Sequence, residues 1–285
     1  MAKKINFLSD LTGSFSTPCS ENPTVRMIEA AYQNEGMNAR FITCEVGPET
    51  LSHAINGAIA MGWKGFSCSL PNKQEVIQYL DDLDTSAQVI GAVNCVVIKE
   101  GKLTGYNTDG KGFIEALCDI TSVKGKHITL LGAGGAARAI AVEAALAGAK
   151  HITLVNRNQE RGEALVKLIE ENTKAKASFV KWTKHVSIES ETEILVNATS
   201  IGLNDAQAIP DIDMDSLHKE MIIADVIPNP PETKLLREAA KKGCTTLNGL
   251  NMLVNQGAQN IYNWFGKKVD REPMKASLKE IFEAK

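Results

Sequence analysis

The chain has 285 residues, 44% of them hydrophobic and 23% charged, with a net charge of −3 at pH 7 and a pI near 6.0. That length asks for two domains or one large one, and the near-neutral balance points to neither a nucleic-acid nor a membrane-surface partner. No apolar run is long enough to span a bilayer, MAKKINFLSD holds too short an apolar stretch for a secretory signal, and six scattered cysteines without a Cys-x-x-Cys pair read as reduced thiols of a cytoplasmic protein.

Taken in chain order, an apolar stripe through Met27, Ala30 and Ala31 predicts a helix over 23–35. A strand follows at 41–46 and a helix at 48–61, stopped by Gly62. Residues 65–70 read as a short strand ended by Pro71, and 74–83 as a helix. Strands at 92–98 and 102–106 flank Glu100-Gly101 as a hairpin. Beyond the segment taken up next come a helix at 160–172, strands at 193–197 and 221–226, a helix at 233–242 stopped by Gly243, and a strand at 245–247. The chain ends in helices over 252–265 and 273–284. Helices with no following strand do not extend a doubly wound sheet, so they are expected to pack back on the N-terminal part. The expected fold class is α/β in two lobes. An N-terminal α/β substrate domain (1–110) precedes a Rossmann-type parallel-sheet domain (111–248), and C-terminal helices (249–285) return to the first lobe.

The segment from Ile128 to Arg157 is the most informative. An apolar strand, Ile128 to Leu131, runs into Gly132-Ala133-Gly134-Gly135-Ala136-Ala137, then an alanine-rich helix, then a second apolar strand, Ile152 to Val155. Strand, glycine turn, helix and strand in this order is the context of a dinucleotide fingerprint. Gly132 suits the tight turn, Gly134 lets backbone approach a pyrophosphate, and Ala137 lets helix and strand pack closely. The helix N-terminus, with Gly135 and Ala136, offers N–H groups to the phosphates. NAD-specific sites place Asp or Glu after the second strand, whereas this chain has Asn156-Arg157-Asn158, with Arg161 following. A guanidinium can pair with a 2′-phosphate, which favours NADP over NAD.

Three further segments are polar where packing does not ask for polarity: Ser67 to Lys73, Gly91 to Asn94, and Gly105 to Asp109. With LPNK, GAVN, GYNTDGKGF, GAGGAARA, NRNQER, NATSIGL and GLNMLVNQGA in this order, the chain resembles the shikimate/quinate dehydrogenase family. The resemblance implies hydride transfer between a nicotinamide cofactor and a ring hydroxyl of shikimate, quinate or a related cyclic polyol, as in the pathway to chorismate and aromatic amino acids. It implies Lys73 and Asp109 as the catalytic pair, and Ser69, Asn94 and Gln256 as hydrogen-bond partners of the ring hydroxyls. It also adds Thr199 and Gly249 to the cofactor residues. The chemistry is sound in itself: taking a hydride off a carbinol carbon requires a proton to leave its oxygen, and a positioned amine can take it. Burial lowers a lysine pKa and a neighbouring carboxylate raises it, so Asp109 would orient the amine rather than lower its pKa. Asn94 could instead pin a turn, and Gln256 could sit on a wet helix face. None of the five histidines lies in these segments, and no clustered ligand set suggests a metal. The expected partner is a small polyol or polyol acid, with no nucleic acid or membrane; a homodimer is left open.

The chain departs from the family pattern in four places, three on the substrate side and one on the cofactor side. After a glycine the family usually has His-Ser-x-Ser-Pro, whose serines hold a substrate carboxylate. Here Gly13 is followed by Ser14-Phe15-Ser16-Thr17-Pro18-Cys19-Ser20-Glu21-Asn22-Pro23-Thr24. Ser16, Asn22 and Thr24 are the candidates for that role, and Glu21 would repel a carboxylate. Pro228 stands where the family has Tyr, and Phe41 where a polar Tyr can reach substrate. Asn158 replaces the usual Thr after Asn-Arg. The first three changes spare the catalytic pair and strike substrate selection, leaving a quinate-like acid, an amino analogue or an uncharged cyclitol open beside shikimate.

Overall fold

A polar strand opens the fold. In a computed structural model, which describes residues 6–203 and 205–283, β1 is Asp10–Ser16. Its alternation places Thr12, Ser14 and Ser16 on one face and Gly13 and Phe15 on the other. Thr12 Oγ1 lies 2.8 Å from Tyr32 Oη, while Phe15 packs on Trp63 and Phe66 at ring distances of 5.7 and 4.5 Å. Hydroxyls on one face and a glycine on the other hide this strand from a hydrophobic pattern. Gly13 is needed because a Cβ there would stand 2.3 Å from Ile42 O and 2.6 Å from the Trp63 ring.

The chain divides into two compact units, Met1–Thr108 with Gly257–Lys285, and Asp109–Gln256. In the first, β1 is followed by α1 (Thr24–Asn34), β2 (Ala39–Glu45), α2 (Leu51–Ala60), β3 (Gly65–Cys68), α3 (Asn72–Glu75), β4 (Asp82–Leu83), α4 (Thr85–Ile90), β5 (Cys95–Lys99) and β6 (Lys102–Tyr106). The sheet order is β2-β1-β3-β5-β6-β4. β1 pairs in parallel with β2 and β3, and β5 is antiparallel to β3 and β6. The expected hairpin forms with Glu100 and Gly101 at φ 53° and 77°, the left-handed pair of a type I′ turn. The helix expected over 74–83 does not form as such. α3 passes into a 3-10 turn at Val76–Tyr79, and Asp82–Leu83 instead pairs with Thr104–Gly105 of β6. α4, hidden by its six-residue length, is capped by Asp84 and ended by Gly91 in the left-handed conformation.

The second unit starts within α5 (Thr108–Cys118) and continues with β7 (His127–Leu131), α6 (Gly135–Leu146), β8 (His151–Asn156), α7 (Gln159–Asn172), β9 (Lys176–Lys181), β10 (Ile194–Asn197), β11 (Ile222–Asp225), α8 (Lys234–Lys241) and β12 (Thr245–Leu247). All its strand pairs are parallel, in the order β12-β11-β10-β7-β8-β9. This is the doubly wound arrangement, with the strand order reversing between β10 and β7. β7 and β8 are buried throughout their interiors, with Thr129 and Thr153 bonded through their hydroxyls, as strands covered on both faces must be. α5 escapes the sequence pattern because two of its residues are glycines, and packing explains both. A Cβ on Gly110 would meet Ala139 O at 2.4 Å, and one on Gly112 would meet Gln256 N at 2.7 Å.

α9 (Gly249–Phe265) leads from the second unit into the first, and α10 (Glu272–Glu283) ends the described chain; Ala284, included in the sequence expectation, lies outside the described residues, as do Met1 to Ile5. In the first unit Trp264 Nε1 donates to Val96 O at 3.0 Å, and Phe41 packs against the Trp264 ring. Phe41, standing where the family has a polar Tyr, is thus part of the apolar packing. None of the six cysteines forms a disulfide. Among the described residues no helix is long and apolar enough to cross a membrane.

Candidate active site

The three polar segments of the first unit meet around Asn94, just before β5. Its N–H donates to Tyr106 O at 3.0 Å, and its carbonyl accepts from Cys68 N at 2.9 Å. The preceding N–H, of Val93, donates to Lys73 O at 2.7 Å. The Asn94 amide goes to Thr108: Oδ1 accepts from Thr108 N at 2.7 Å, and Nδ2 donates to Thr108 Oγ1 at 2.9 Å. Asn107 Nδ2 donates to Ala92 O at 3.0 Å. Asn94, Asn107 and Thr108 are all buried. Through these bonds Asn94 pins the turn into α5.

Lys73 lies on α3 at the C-terminal side of β3 and is half-buried, as is Ser69. Beside it Asn72 is buried, with Nδ2 donating to Phe15 O at 3.2 Å and Val46 O at 2.8 Å. This ties α3 to the C-terminal ends of β1 and β2, the end of a parallel sheet where ligands bind. Burial pushes the Cys68 thiol, just before Ser69, up to about 12, so it takes no part as a thiolate. Asp109 follows directly on Thr108 as the first residue of the second unit, and Gln256 is that unit's last. Gln256 Nε2 donates to Leu253 O at 3.0 Å. Among the described residues no cluster of His, Cys, Asp and Glu could hold a metal.

The divergent segment proves shorter than its sequence suggests, because Gly13 to Ser16 belong to β1. Ser14 Oγ and Ser16 Oγ are buried with no hydrogen-bond partner. The remaining loop, 17–23, is held by side chains. Glu45, at the end of β2, accepts from Thr17 Oγ1 at 2.5 Å and from Cys19 N at 2.9 Å. The hydrogen bond to Glu45 is also the first cause pushing the Cys19 thiol up to about 11. At the far end Asn22 Oδ1 accepts from Thr24 N at 3.0 Å and Thr24 Oγ1 at 2.6 Å. Asn22 and Thr24, expected to face substrate, therefore bond each other at the start of α1; Thr24 is buried, and Asn22 keeps its Nδ2 for other donation. Glu21 and Ser20 are exposed.

In the second unit the glycine turn has the geometry its sequence requires. Gly132 sits at φ 108°, its N–H donates to Val155 O at 2.8 Å, and a Cβ would come within 3.1 Å of Ala198 O. Gly134 and Gly135 are exposed, and a Cβ on either would touch nothing within 4 Å. Gly134 is the N-cap of α6 and supplies no side-chain cap, while Ala136 and the fully buried Ala137 continue the first turn. Free N–H groups at a helix start, beneath open space, fit a pyrophosphate. Arg157 and Arg161 are exposed beyond β8. Asn156 Nδ2 donates to Asn158 O at 2.8 Å, and Asn158 Oδ1 caps α7 by accepting from Arg161 N at 2.9 Å. Asn caps a helix as well as Thr does, so this departure leaves the local structure unharmed.

Sequence reasoning missed a buried support beneath Thr199. Asn197 Oδ1 accepts from Thr199 Oγ1 at 2.7 Å, and Asn197 Nδ2 donates to both oxygens of Asp225 at 3.1 Å. Asp225 also accepts from Thr233 Oγ1 at 2.8 Å and Ile227 N at 3.1 Å. Burial holds its carboxyl above the ordinary carboxylate value in spite of these bonds. The one available signal was a carboxylate ending an apolar strand. Gly249 opens α9 so close to the backbone that a Cβ would meet Val226 O at 2.4 Å, which explains its residue type by packing.

Known proteins match along almost the whole chain. Residues 15–96 match the shikimate dehydrogenase substrate binding domain, 115–230 the shikimate/quinate 5-dehydrogenase domain, and 249–279 the shikimate 5′-dehydrogenase C-terminal domain. Shikimate dehydrogenase (NADP(+)) of Methanocaldococcus jannaschii is 39% identical over 96% of this chain and 98% of its own. The crystal structure of Listeria monocytogenes shikimate 5-dehydrogenase, in complex with shikimate and NAD, superposes with a TM-score of 0.90 at 34% identity, covering 98% of this chain and 99% of that one. Ligand-free 5-ketofructose reductase of Gluconobacter sp. strain CHM43 superposes with a TM-score of 0.96 at 54% identity, covering 97% and 100%. The chain belongs to the shikimate dehydrogenase family of NAD(P)-dependent oxidoreductases.

Proposed function

We propose that the protein is an NADPH-dependent reductase of an uncharged, polyhydroxylated ketone of the 5-ketofructose kind. The observation that carries this reading is the 54% identity to 5-ketofructose reductase over 97% of the chain, against 39% and 34% for the two shikimate dehydrogenases above. The segment after β1 supports it. Two carboxylates, Glu21 and Glu45, stand in or against the loop where the family holds a substrate carboxylate, and like charges at roughly 4 Å oppose each other by about 1–4 kcal/mol between bulk water and a protein surface. A neutral polyol meets no such opposition.

In this reading the N-terminal unit and the C-terminal helices hold substrate, and the second unit holds cofactor. When bound, the nicotinamide supplies the hydride to the carbonyl carbon. Lys73 donates a proton to the carbonyl oxygen as it becomes a hydroxyl, and Asp109 orients the amine and accepts a hydrogen bond from a substrate hydroxyl. Ser16, Ser69, Asn22 Nδ2 and Gln256 are the further substrate contacts. Gly132 to Ala137 receive the pyrophosphate, Arg157 and Arg161 the 2′-phosphate, and Thr199 flanks the cofactor. The absence of Asp or Glu after β8 supports NADP. A cytoplasmic location accords with the free thiols.

A second reading, shikimate as substrate, has the family models and the curated relatives in its favour. NADPH oxidation measured with 5-ketofructose, and NADP reduction measured with shikimate and quinate, separates the two. The proposal expects a kcat/KM at least a hundredfold higher for the ketose; the opposite preference overturns it.

A further inference from the structure

We propose that Asn260, on α9, is a positioning residue for Asp109, acting through Thr108. This rests on the reading of Asp109 as catalytic.

Thr108 is the first residue of α5, and its conformation sets the direction in which the next side chain, that of Asp109, leaves the helix start. Thr108 is fully buried, and three polar groups bond to it in the first unit. Its N–H donates to Asn94 Oδ1 at 2.7 Å. Its hydroxyl oxygen accepts from Asn94 Nδ2 at 2.9 Å and lies 2.7 Å from Asn260 Oδ1. A hydroxyl has a single hydrogen. Asn260 Oδ1 can only accept and is nearer to the hydroxyl than Asn94 Oδ1, which stands 3.1 Å away, so the hydroxyl hydrogen goes to Asn260. Asn260 Nδ2 in turn donates to Ser67 Oγ at 3.2 Å on β3. The chain of donors therefore has one direction, from Asn94 through Thr108 to Asn260, and it is anchored at Ser67 two residues before Ser69.

Asn260 is fully buried, with Gln256 one turn before it on the helix and Trp264 one turn after it. A buried amide is costly unless its groups are paired, and Thr108 and Ser67 supply that pairing. What the amide provides is a third tether on the residue that precedes Asp109, reaching it from a helix 152 positions later in the chain. Displacement of a catalytic group by about 1 Å costs on the order of a hundredfold in rate.

The experiment is steady-state kinetics on the full-length protein with NADPH and 5-ketofructose, or shikimate if that is the better substrate, for N260A, D109N and N260A/D109N, with thermal melts of each. N260A should lower kcat roughly 10- to 100-fold, leaving the KM for NADPH within twofold. The double variant should be no slower than D109N within twofold, because nothing is left to position. Losses that multiply, or N260A turning over at the wild-type rate while D109N is inactive, overturn the proposal. D109N turning over at the wild-type rate overturns the underlying reading of Asp109, and with it this one, and is recognisable as that separate failure. Should N260A fail to fold, T108V removes the shared hydroxyl isosterically and must show the same loss and the same non-additivity, while T108S restores kcat to within threefold; wild-type turnover by folded T108V overturns the proposal.

Discussion

The turns after β7 and after β1 both leave the C-terminal end of a parallel strand and enter a helix, yet they are built from different material. After β7 three residues suffice, and the groups offered are backbone N–H at a helix start with no side-chain cap. After β1 seven residues intervene before α1, and side chains shape them: Glu45 across the sheet, Asn22 and Thr24 at the helix start. A backbone cradle suits a group that every relative shares, because backbone does not vary with sequence. A side-chain scaffold suits the part of the site where relatives differ.

The largest test of this contrast is Lys73→Ala. It should lower kcat by about 10²–10⁴-fold while cofactor affinity, read by fluorescence titration, stays within twofold. Activity that survives this change ends the assignment of Lys73. On the cofactor side two glycines should fail in different ways. Gly134→Ala meets no protein atom within 4 Å, so the melting temperature should hold within a degree or two while NADPH affinity drops on the order of tenfold. Gly132→Ala places a side chain at φ 108°, near Ala198 O, and should lower stability by about 1–3 kcal/mol in urea melts. Equal effects of the two would mean that the open space above α6 is not where the phosphates lie. Arg157→Ala should raise the KM for NADPH by roughly tenfold, with that for NADH unchanged within twofold.

The smallest effect concerns the support beneath the cofactor side. Because burial raises the folded-state pKa of Asp225, its protonated form favours the fold. That contribution is fully present below the unfolded value of about 3.9 and is lost as pH rises through the folded value, at about 1.4 kcal/mol per unit of elevation. The stability of wild type relative to Asp225→Asn, measured in urea between pH 3.5 and 7, should therefore shrink as pH rises; a difference that grows with pH contradicts the assigned cause.

What could be read from the sequence follows the same division. In the second unit β7, β8, β10 and β11 were legible because they are buried on both faces and the turn after β7 needs glycines at fixed offsets, whereas β9, only partly buried along its length, was missed. β1 was not, since its pattern of hydroxyls and one glycine reports a polar face under α1 rather than an apolar one. α5 was hidden by Gly110 and Gly112, whose value lies in close contact with other helices and not in helix propensity. Asn94 illustrates the limit for the site. Its residue type was noticed, but whether it faces a ligand or pins Thr108 depends on partners fourteen positions away. Glu45 and Asn260 drew no notice, since a lone carboxylate ending a strand and a lone amide in a helix have many uses.

The bond between Glu45 and the Cys19 region also bears on chemical durability. With its pKa pushed up to about 11, the Cys19 thiol is ionised in only about one molecule in ten thousand at neutral pH. Peroxides and alkylating agents react with the thiolate, so the loop after β1 carries a sulfur kept in its less reactive thiol form by the same carboxylate that holds the loop in place.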